Sequence, residues 1–187
     1  VVGIIIGVVS LTSFGTVMTS SIMSIGAGSL FLTLFFTMIA SMILGMGLPS
    51  IPAYIITATM AAPALANFDI PILVAHMFVF YFGLFANITP PVALAAFAGA
   101  GIAGGDPMRT GFQALKLSLA GFIVPFLFVY NPAMLMIDTT NVAVNAREFA
   151  FPAWTTIVSI TVTSVIGILA LGAAVEGYFK TSLNWFW

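Results

Sequence analysis

Two short stretches of this chain interrupt apolar runs with residue types that unmake a helix: Gly45-Met46-Gly47-Leu48-Pro49-Ser50-Ile51-Pro52 and, about 40 residues later, Asn87-Ile88-Thr89-Pro90-Pro91. Proline removes a backbone donor and strands the carbonyl four residues before it. Pro49 and Pro52 would free the carbonyls of Gly45 and Leu48; Pro90 and Pro91 would free those of Ala86 and Asn87. Bare carbonyls away from water need a partner, and a small hard cation such as Na+ is a good one. Ser50 and Thr89 add hydroxyls suited to capping the helices that restart, Thr89 with Pro90 at the first helical position. Such a helix N-terminus carries roughly half a positive charge and presents N–H groups to an anion. Gly45, Gly47, Leu48, Pro49, Ser50, Ala86, Asn87, Thr89 and Pro90 are therefore the candidate binding residues, with the carbonyls of Gly45, Leu48, Ala86 and Asn87 as candidate Na+ ligands. The plainer alternative is a pair of proline kinks, re-satisfied by Ser, Thr or bound water, with no site attached.

These stretches sit in a chain built for lipid. Charged residues make up 5% of its 187 positions and hydrophobic residues 61%; mean hydropathy is +1.22. No charged side chain occurs before Asp69. A charge at the centre of a membrane helix costs roughly 2.5–3.5 kcal/mol on insertion scales, so the composition predicts an all-α integral membrane protein. Lipid-exposed backbone must be helical throughout, which makes the two interruptions informative. The absence of cysteine excludes disulfides, thiolate metal sites and thiol nucleophiles. A net charge of −1, with four basic residues spread along the chain, gives no electrostatic case for nucleic acid. The opening on Val1 is already apolar and has no basic region before it, so the chain is expected to be a piece of a longer protein rather than to start with a cleaved signal.

Residues 1–11 read as the tail of an apolar helix, with Gly3 and Gly7 spaced for close helix contact. Residues 12–28, richer in Ser, Thr and Gly, read as an interfacial connection. Residues 30–44 and 53–65 are apolar segments roughly 22 and 20 Å long as helices, against a hydrocarbon core about 30 Å thick. Two short helices joined by a Gly/Pro break predict a re-entrant hairpin over 30–66, the alternative being two ordinary spans. Residues 71–104 predict a broken transmembrane helix made of halves 72–86 and 90–103. A span over 110–132 follows, with Gly121 and Pro125 as bend points. Residues 131–151, holding Asp138, Arg147 and Glu148, predict an extramembrane loop. Residues 152–177 predict a last span, followed by the interfacial aromatics Trp185 and Trp187. Placing Arg109 and Lys116 in the cytoplasm puts Lys180 inside, Arg147 outside and the hairpin mouth outside, three basic residues to one.

Other chemistry finds little support. His76 lies within the apolar part and is either a proton-relay group or, more plainly, a neutral histidine bonded to a backbone carbonyl. Asp69, Asp106 and Glu176 fall at segment ends and are expected to be solvated. The methionines and phenylalanines are packing and lipid-facing residues, and Gly99, Gly101 and Gly105 allow close helix approach. Ala103-Gly104-Gly105-Asp106 only approximates the Gly-x-Gly-Asp of membrane aspartyl proteases, and no second buried aspartate accompanies it. There is no Gly-x-Ser-x-Gly elbow, no metal-ligand cluster and no P-loop. The residues predict no enzyme and no organic cofactor. Carbonyls for a cation beside helix N-termini for a carboxylate is, however, how secondary transporters build sites from broken helices.

Gly45-Met46-Gly47-Leu48-Pro49, residues 75–83 (Ala-His-Met-Phe-Val-Phe-Tyr-Phe-Gly) and Ile88-Thr89-Pro90-Pro91-Val92-Ala93-Leu94-Ala95 together resemble the large permease subunit of TRAP (tripartite ATP-independent periplasmic) transporters. Asp106-Pro107-Met108-Arg109-Thr110-Gly111-Phe112 and Phe122-Ile123-Val124-Pro125-Phe126 extend the likeness, which covers about residues 1–135. The tail from 151 onward is similar to the extra span of the TAXI-associated branch, in which small and large membrane subunits are fused. The resemblance implies a Na+-driven importer of organic acids (carboxylates) in the bacterial inner membrane, multi-pass, fed by a periplasmic substrate-binding protein and working with a small membrane subunit. It implies an elevator-type carrier of two inverted repeats, of which residues 1–135 would be the second and 136–187 a periplasmic loop plus extra span. Where that family usually has two threonines after Leu48-Pro49, this chain has Ser50 and Ile51, so one hydroxyl is missing. Two other functions fit the same features: a receptor-independent exchanger or efflux carrier of the same superfamily, and a non-transporting membrane scaffold.

Overall fold

The computed structural model describes residues 2–137, 152–179 and 181–182. It is helical apart from one two-residue antiparallel ladder, β1 (Tyr178–Phe179) with β2 (Thr181–Ser182). The α-helices are α1 (Val2–Leu11), α2 (Phe14–Gly26), α3 (Leu30–Gly45), α4 (Ser50–Met60), α5 (Ile72–Phe85), α6 (Leu94–Ala103), α7 (Pro107–Ser118), α8 (Val124–Tyr130) and α9 (Trp154–Glu176), with 3-10 turns at Ala62–Phe68, Gly121–Ile123 and Pro132–Leu135.

α9, at 23 residues, is about 35 Å long and, among the described residues, is the one helix long and apolar enough to cross a bilayer unaided. α3, α5 and α6 are apolar but shorter, and α7 joins the 121–130 segment through a 55° bend. That bend falls beside Gly121, where a Cβ would lie 3.1 Å from the Phe85 ring. The expected span 110–132 is thus two short helices. The loop residues Asp138, Arg147 and Glu148, together with Lys180, Trp185 and Trp187, lie outside the described residues.

Residues 12–28, expected as a connection, contain α2 instead. The hydroxyls that made them look like loop turn back on their own helix: Thr19 Oγ1 donates to the Gly15 carbonyl at 2.9 Å and Ser20 Oγ to that of Val17 at 2.9 Å. A self-satisfied hydroxyl is nearly as compatible with an apolar surrounding as an alanine. α2 buries Ile22 and Gly26, and Gly26 lies so close to Thr33 of α3 that no side chain fits between them.

α5 is the centre of the molecule. Its buried residues Val74, Ala75, Phe78, Val79, Phe82 and Gly83 recur at helical spacing along one side. They pack with Leu34 of α3, Leu65 after α4, and Phe128 and Val129 of α8. Rings hold α5 to α8 and to the 3-10 turn before it: Phe78 meets Phe126 edge-on at 5.4 Å, and Phe85 meets Phe122 at 5.0 Å, the geometry favoured by ring quadrupoles. α3 and α4 pack on each other and both pack on α5, while α6 packs on α7. At the far end, Lys116 of α7 and Glu176 of α9 pair at 3.6 Å. Both are well exposed, so the pair is worth about 0–1 kcal/mol, but it puts the ends of α7 and α9 on the same side. Asp106 caps α7 by accepting from the Arg109 N–H at 2.7 Å.

Among the described glycines, the closest approach to the backbone of another helix is between α3 and α5. A Cβ built on Gly45 would fall 2.7 Å from the Gly83 carbonyl oxygen and 3.0 Å from its Cα, whereas one on Gly83 meets nothing closer than 3.5 Å. Gly45→Ala is therefore expected to cost about 1–3 kcal/mol through forced overpacking, and Gly83→Ala clearly less. Melting temperatures of the two purified variants check the ranking; the contact would lose its special place if Gly83→Ala melted lower.

Candidate functional site

The first interruption is a type II turn. Met46 has φ −60 and ψ 128, Gly47 has φ +75, and the Leu48 N–H donates to the Gly45 carbonyl at 3.3 Å. The third position of such a turn needs positive φ, which glycine adopts without the steric cost a Cβ brings. Pro49, extended at ψ 158, precedes α4, and its carbonyl accepts from Ala53 N at 3.0 Å. Ser50 was expected to cap α4 but is its first helical residue and makes no capping bond; Pro49 holds the cap position. The N–H groups of Ser50 and Ile51 thus open the helix, and Pro52 has none to offer. Of the two carbonyls freed here, that of Leu48 has no backbone donor, while that of Gly45 holds the turn.

The second interruption is longer than expected. α5 tightens into 3-10 geometry, with Asn87, Ile88 and Thr89 donating to the carbonyls of Leu84, Phe85 and Ala86 at 3.0, 3.1 and 3.4 Å. A cis Pro90–Pro91 peptide follows, and α6 starts only at Leu94, after Ala93 at φ +35. Thr89 was expected to cap this helix with Pro90 at its first position. It does neither: a residue before proline is pushed out of the helical region, and both Thr89 and Pro90 precede one. The Thr89 hydroxyl instead donates to the Phe85 carbonyl at 2.8 Å. The first turn of α6 is served by the Asn87 carbonyl, which accepts from Ala95 N at 2.9 Å. The N–H groups of Leu94 and Ala96 take no backbone acceptor. Of the carbonyls expected to be bare, those of Ala86 and Asn87 each already hold one N–H and keep one lone pair.

The two interruptions meet. Gly45, at the end of α3, sits against Gly83 and Ala86, with its would-be Cβ 3.2 Å from the Ala86 methyl; that of Gly47 would lie 3.6 Å from Val92. Gly111 of α7 closes on the other side, 3.3 Å from the Pro90 ring by the same measure. Gly45 and Ala86 are buried, Thr89 is 7% exposed, and Gly47, Pro49 and Ser50 are exposed at the tip. Thr33, Thr37, Ser41 and Thr57 are wholly buried on α3 and α4. Leaving such a hydroxyl unpaired costs about 1–3 kcal/mol, and Thr57 avoids this by donating to the Tyr54 carbonyl at 3.1 Å. Among the described residues no group of three or more His, Asp or Glu is placed to hold a metal, so a cation here would rely on carbonyl and hydroxyl oxygen.

The profile of one protein family, Tripartite ATP-independent periplasmic transporter, DctM component, matches residues 1–142. The chain belongs to the DctM family. Comparison with curated proteins and with solved structures gives no significant match. DctM proteins are the permease components of TRAP transporters, a transporter family and not an enzyme family, and the apolar helices accord with a membrane protein. In this DctM chain the matched region contains α1 to α8 and both interruptions, and it ends before α9.

Sequence reasoning missed three contributors in this DctM chain. Gly83 and Gly111 supply the close approaches, and their signal was a lone small residue in an aromatic or polar helix. Tyr54 supplies the partner of His76: its hydroxyl lies 3.0 Å from Nδ1, tying α4 to α5. His76 was expected to bond a backbone carbonyl; its Nδ1 instead faces the Tyr54 phenol. Phe80 packs edge-on to Tyr54 at 5.4 Å and fixes the ring. Tyr54→Phe keeps that packing and removes the bond, so stability should fall by about 1 kcal/mol. Urea or thermal unfolding in detergent measures it; an unchanged or raised melting temperature would show that the tie contributes nothing.

Proposed function

We propose that this chain is the permease part of a Na+-coupled importer of organic acids, with the joined interruptions as one side of its ion and carboxylate site. The observation that carries the reading is the seating of the Gly45–Leu48 turn on Gly83, Ala86 and Val92. Two helix restarts, α4 and α6, each offer N–H groups with no backbone acceptor, from Ser50 and Ile51 and from Leu94 and Ala96. Such ends favour a carboxylate by charge and by hydrogen bonding. The Leu48 carbonyl, with the second lone pairs of Gly45, Ala86 and Asn87, supplies oxygen for Na+. Cation and anion then neutralise each other in a site of low dielectric, where an isolated charge would be costly.

On this reading α3 and α4 form a re-entrant hairpin that opens outward and acts as the outer gate, and α5 with α6 forms a broken span. The Lys116–Glu176 pair supports placing α7 and the end of α9 on one face. The basic residues there make that face the cytoplasmic one in a bacterial inner membrane. A periplasmic binding protein would deliver the acid, and a small membrane subunit, fused in the parent chain, would complete the carrier. Recognition by backbone groups reads a carboxylate and not the rest of the molecule.

Two experiments on the intact parent protein test this. NaCl and not choline chloride should stabilise the protein, by about 2.7 kcal/mol at a hundredfold excess over Kd, read as a rise in melting temperature. In proteoliposomes supplied with binding protein, Gly47→Val should abolish sodium-dependent uptake, because a β-branched residue resists φ +75. Thr89→Ala should lower uptake about tenfold, the scale of one hydrogen bond of about 1.4 kcal/mol. Membrane insertion should survive in both. Uptake that needs no binding protein would point to an exchanger, and no sodium effect at all would point to a scaffold.

A further inference from the structure

Hydroxyls on the helices of this chain close on their own backbone: Thr33 on Ser29, Thr57 on Tyr54, Thr89 on Phe85 and Ser118 on Leu115. Thr37 and Ser41 do not. Both are wholly buried on α3, and neither Oγ has a hydrogen-bond partner in the protein. The same helix carbonyls lie within their reach, as Thr33 shows one turn earlier. Their oxygens therefore face outward from α3, toward the helices packed on it, which are α2, α4 and α5.

The two residues are four apart, so their Cβ atoms lie about 5–6 Å from each other on one helix face. Oγ atoms carried on such neighbours can come within the roughly 4.5–5.5 Å that a single bridging atom spans at the usual ~2.8 Å from each. We propose that Thr37 and Ser41 form a binding site for one ordered water, bridging the hydroxyls in the interface between the first hairpin arm and its neighbours. A hard cation fits poorly, because it needs a shell of about six oxygens and cannot accept an O–H. The site supplies two hydroxyls and the spare lone pairs of nearby helix carbonyls, too few for such a shell. Water both accepts and donates, and buried waters make about three hydrogen bonds. The third goes to the spare lone pair of a helix carbonyl. The site lies one and two turns below the Gly45 turn and does not rest on the sodium reading.

The test is a double-mutant cycle in the full-length carrier, read as melting temperature in both NaCl and choline chloride. Thr37→Val and Ser41→Ala should each lower it by a few degrees. The double variant should fall no further than the worse single, because either change releases the same water. Thr37→Ser, which keeps the hydroxyl, should lose less than Thr37→Val. A rise in either apolar variant would show that the hydroxyls hold nothing, additive losses would show two unrelated partners, and a loss confined to sodium would show a cation; each overturns the proposal. Should valine at 37 prevent folding, a cryo-EM map of the unmodified carrier decides. Density bridging the two Oγ atoms supports the site, and its absence where other buried waters are resolved overturns it.

Discussion

The passage of the Gly45 backbone against Gly83 and Ala86 is the constraint on which the arrangement of this DctM chain depends. In lipid there is no hydrophobic drive to bring two apolar helices together, so association rests on close packing. Removing side chains at the crossing lets dispersion act between backbones over a short distance. Because Gly45 ends α3 and Gly83 lies in the last turn of α5, the contact joins two helix ends rather than two helix middles. Both chain breaks follow directly, and so they are placed side by side. Gly111 then approaches Pro90, bringing α7 against the same point.

A second economy governs the polar groups. A buried hydroxyl or peptide group without a partner is costly, and this chain spends most of them locally. Hydroxyls fold back on their own helices, α5 tightens its last turn to use the carbonyls of Leu84, Phe85 and Ala86, and Asn87 serves the start of α6. What remains unspent is therefore informative. It includes the Leu48 carbonyl, the hydroxyls of Thr37 and Ser41 and, as at other helix starts, the first N–H groups of α4 and α6. The side-chain hydrogen bond between α4 and α5, Tyr54 to His76, uses the imidazole as a structural partner.

How much of this was legible in the sequence depends on the kind of signal. The interruptions were plain, since glycine and proline act on the backbone of their own and adjacent residues. Their internal geometry was only half legible. The turn's need for positive φ at Gly47 appears only in the fold, and α6 begins at Leu94, four residues after Pro90, because Thr89 and Pro90 each precede a proline and are kept out of the helical region. Helix α2 was missed because Ser and Thr were weighted by their behaviour in water, where they compete for the backbone from outside. In lipid the same side chains satisfy themselves. The meeting of Gly45 with Gly83 is a tertiary fact: a single glycine in the run 75–83 has no periodic partner to announce it.

The way the tip is held also bears on its proposed service as a gate. Among the described residues no hydrogen bond joins the turn 45–50 to residues 83–95. The seat is shape without polar attachment. Dispersion falls away within a fraction of an ångström of separation, so such a contact is tight when closed and costs no stranded donor or acceptor when opened. Further down the hairpin the attachments change character: Tyr54 bonds His76 across to α5, and Thr57 lies against Gly83. An element that is polar-tied at its body and only packed at its tip bends at the tip first. That gradient would let the tip of a carrier lift from Gly83, Ala86 and Val92 while the arms keep their place against α5.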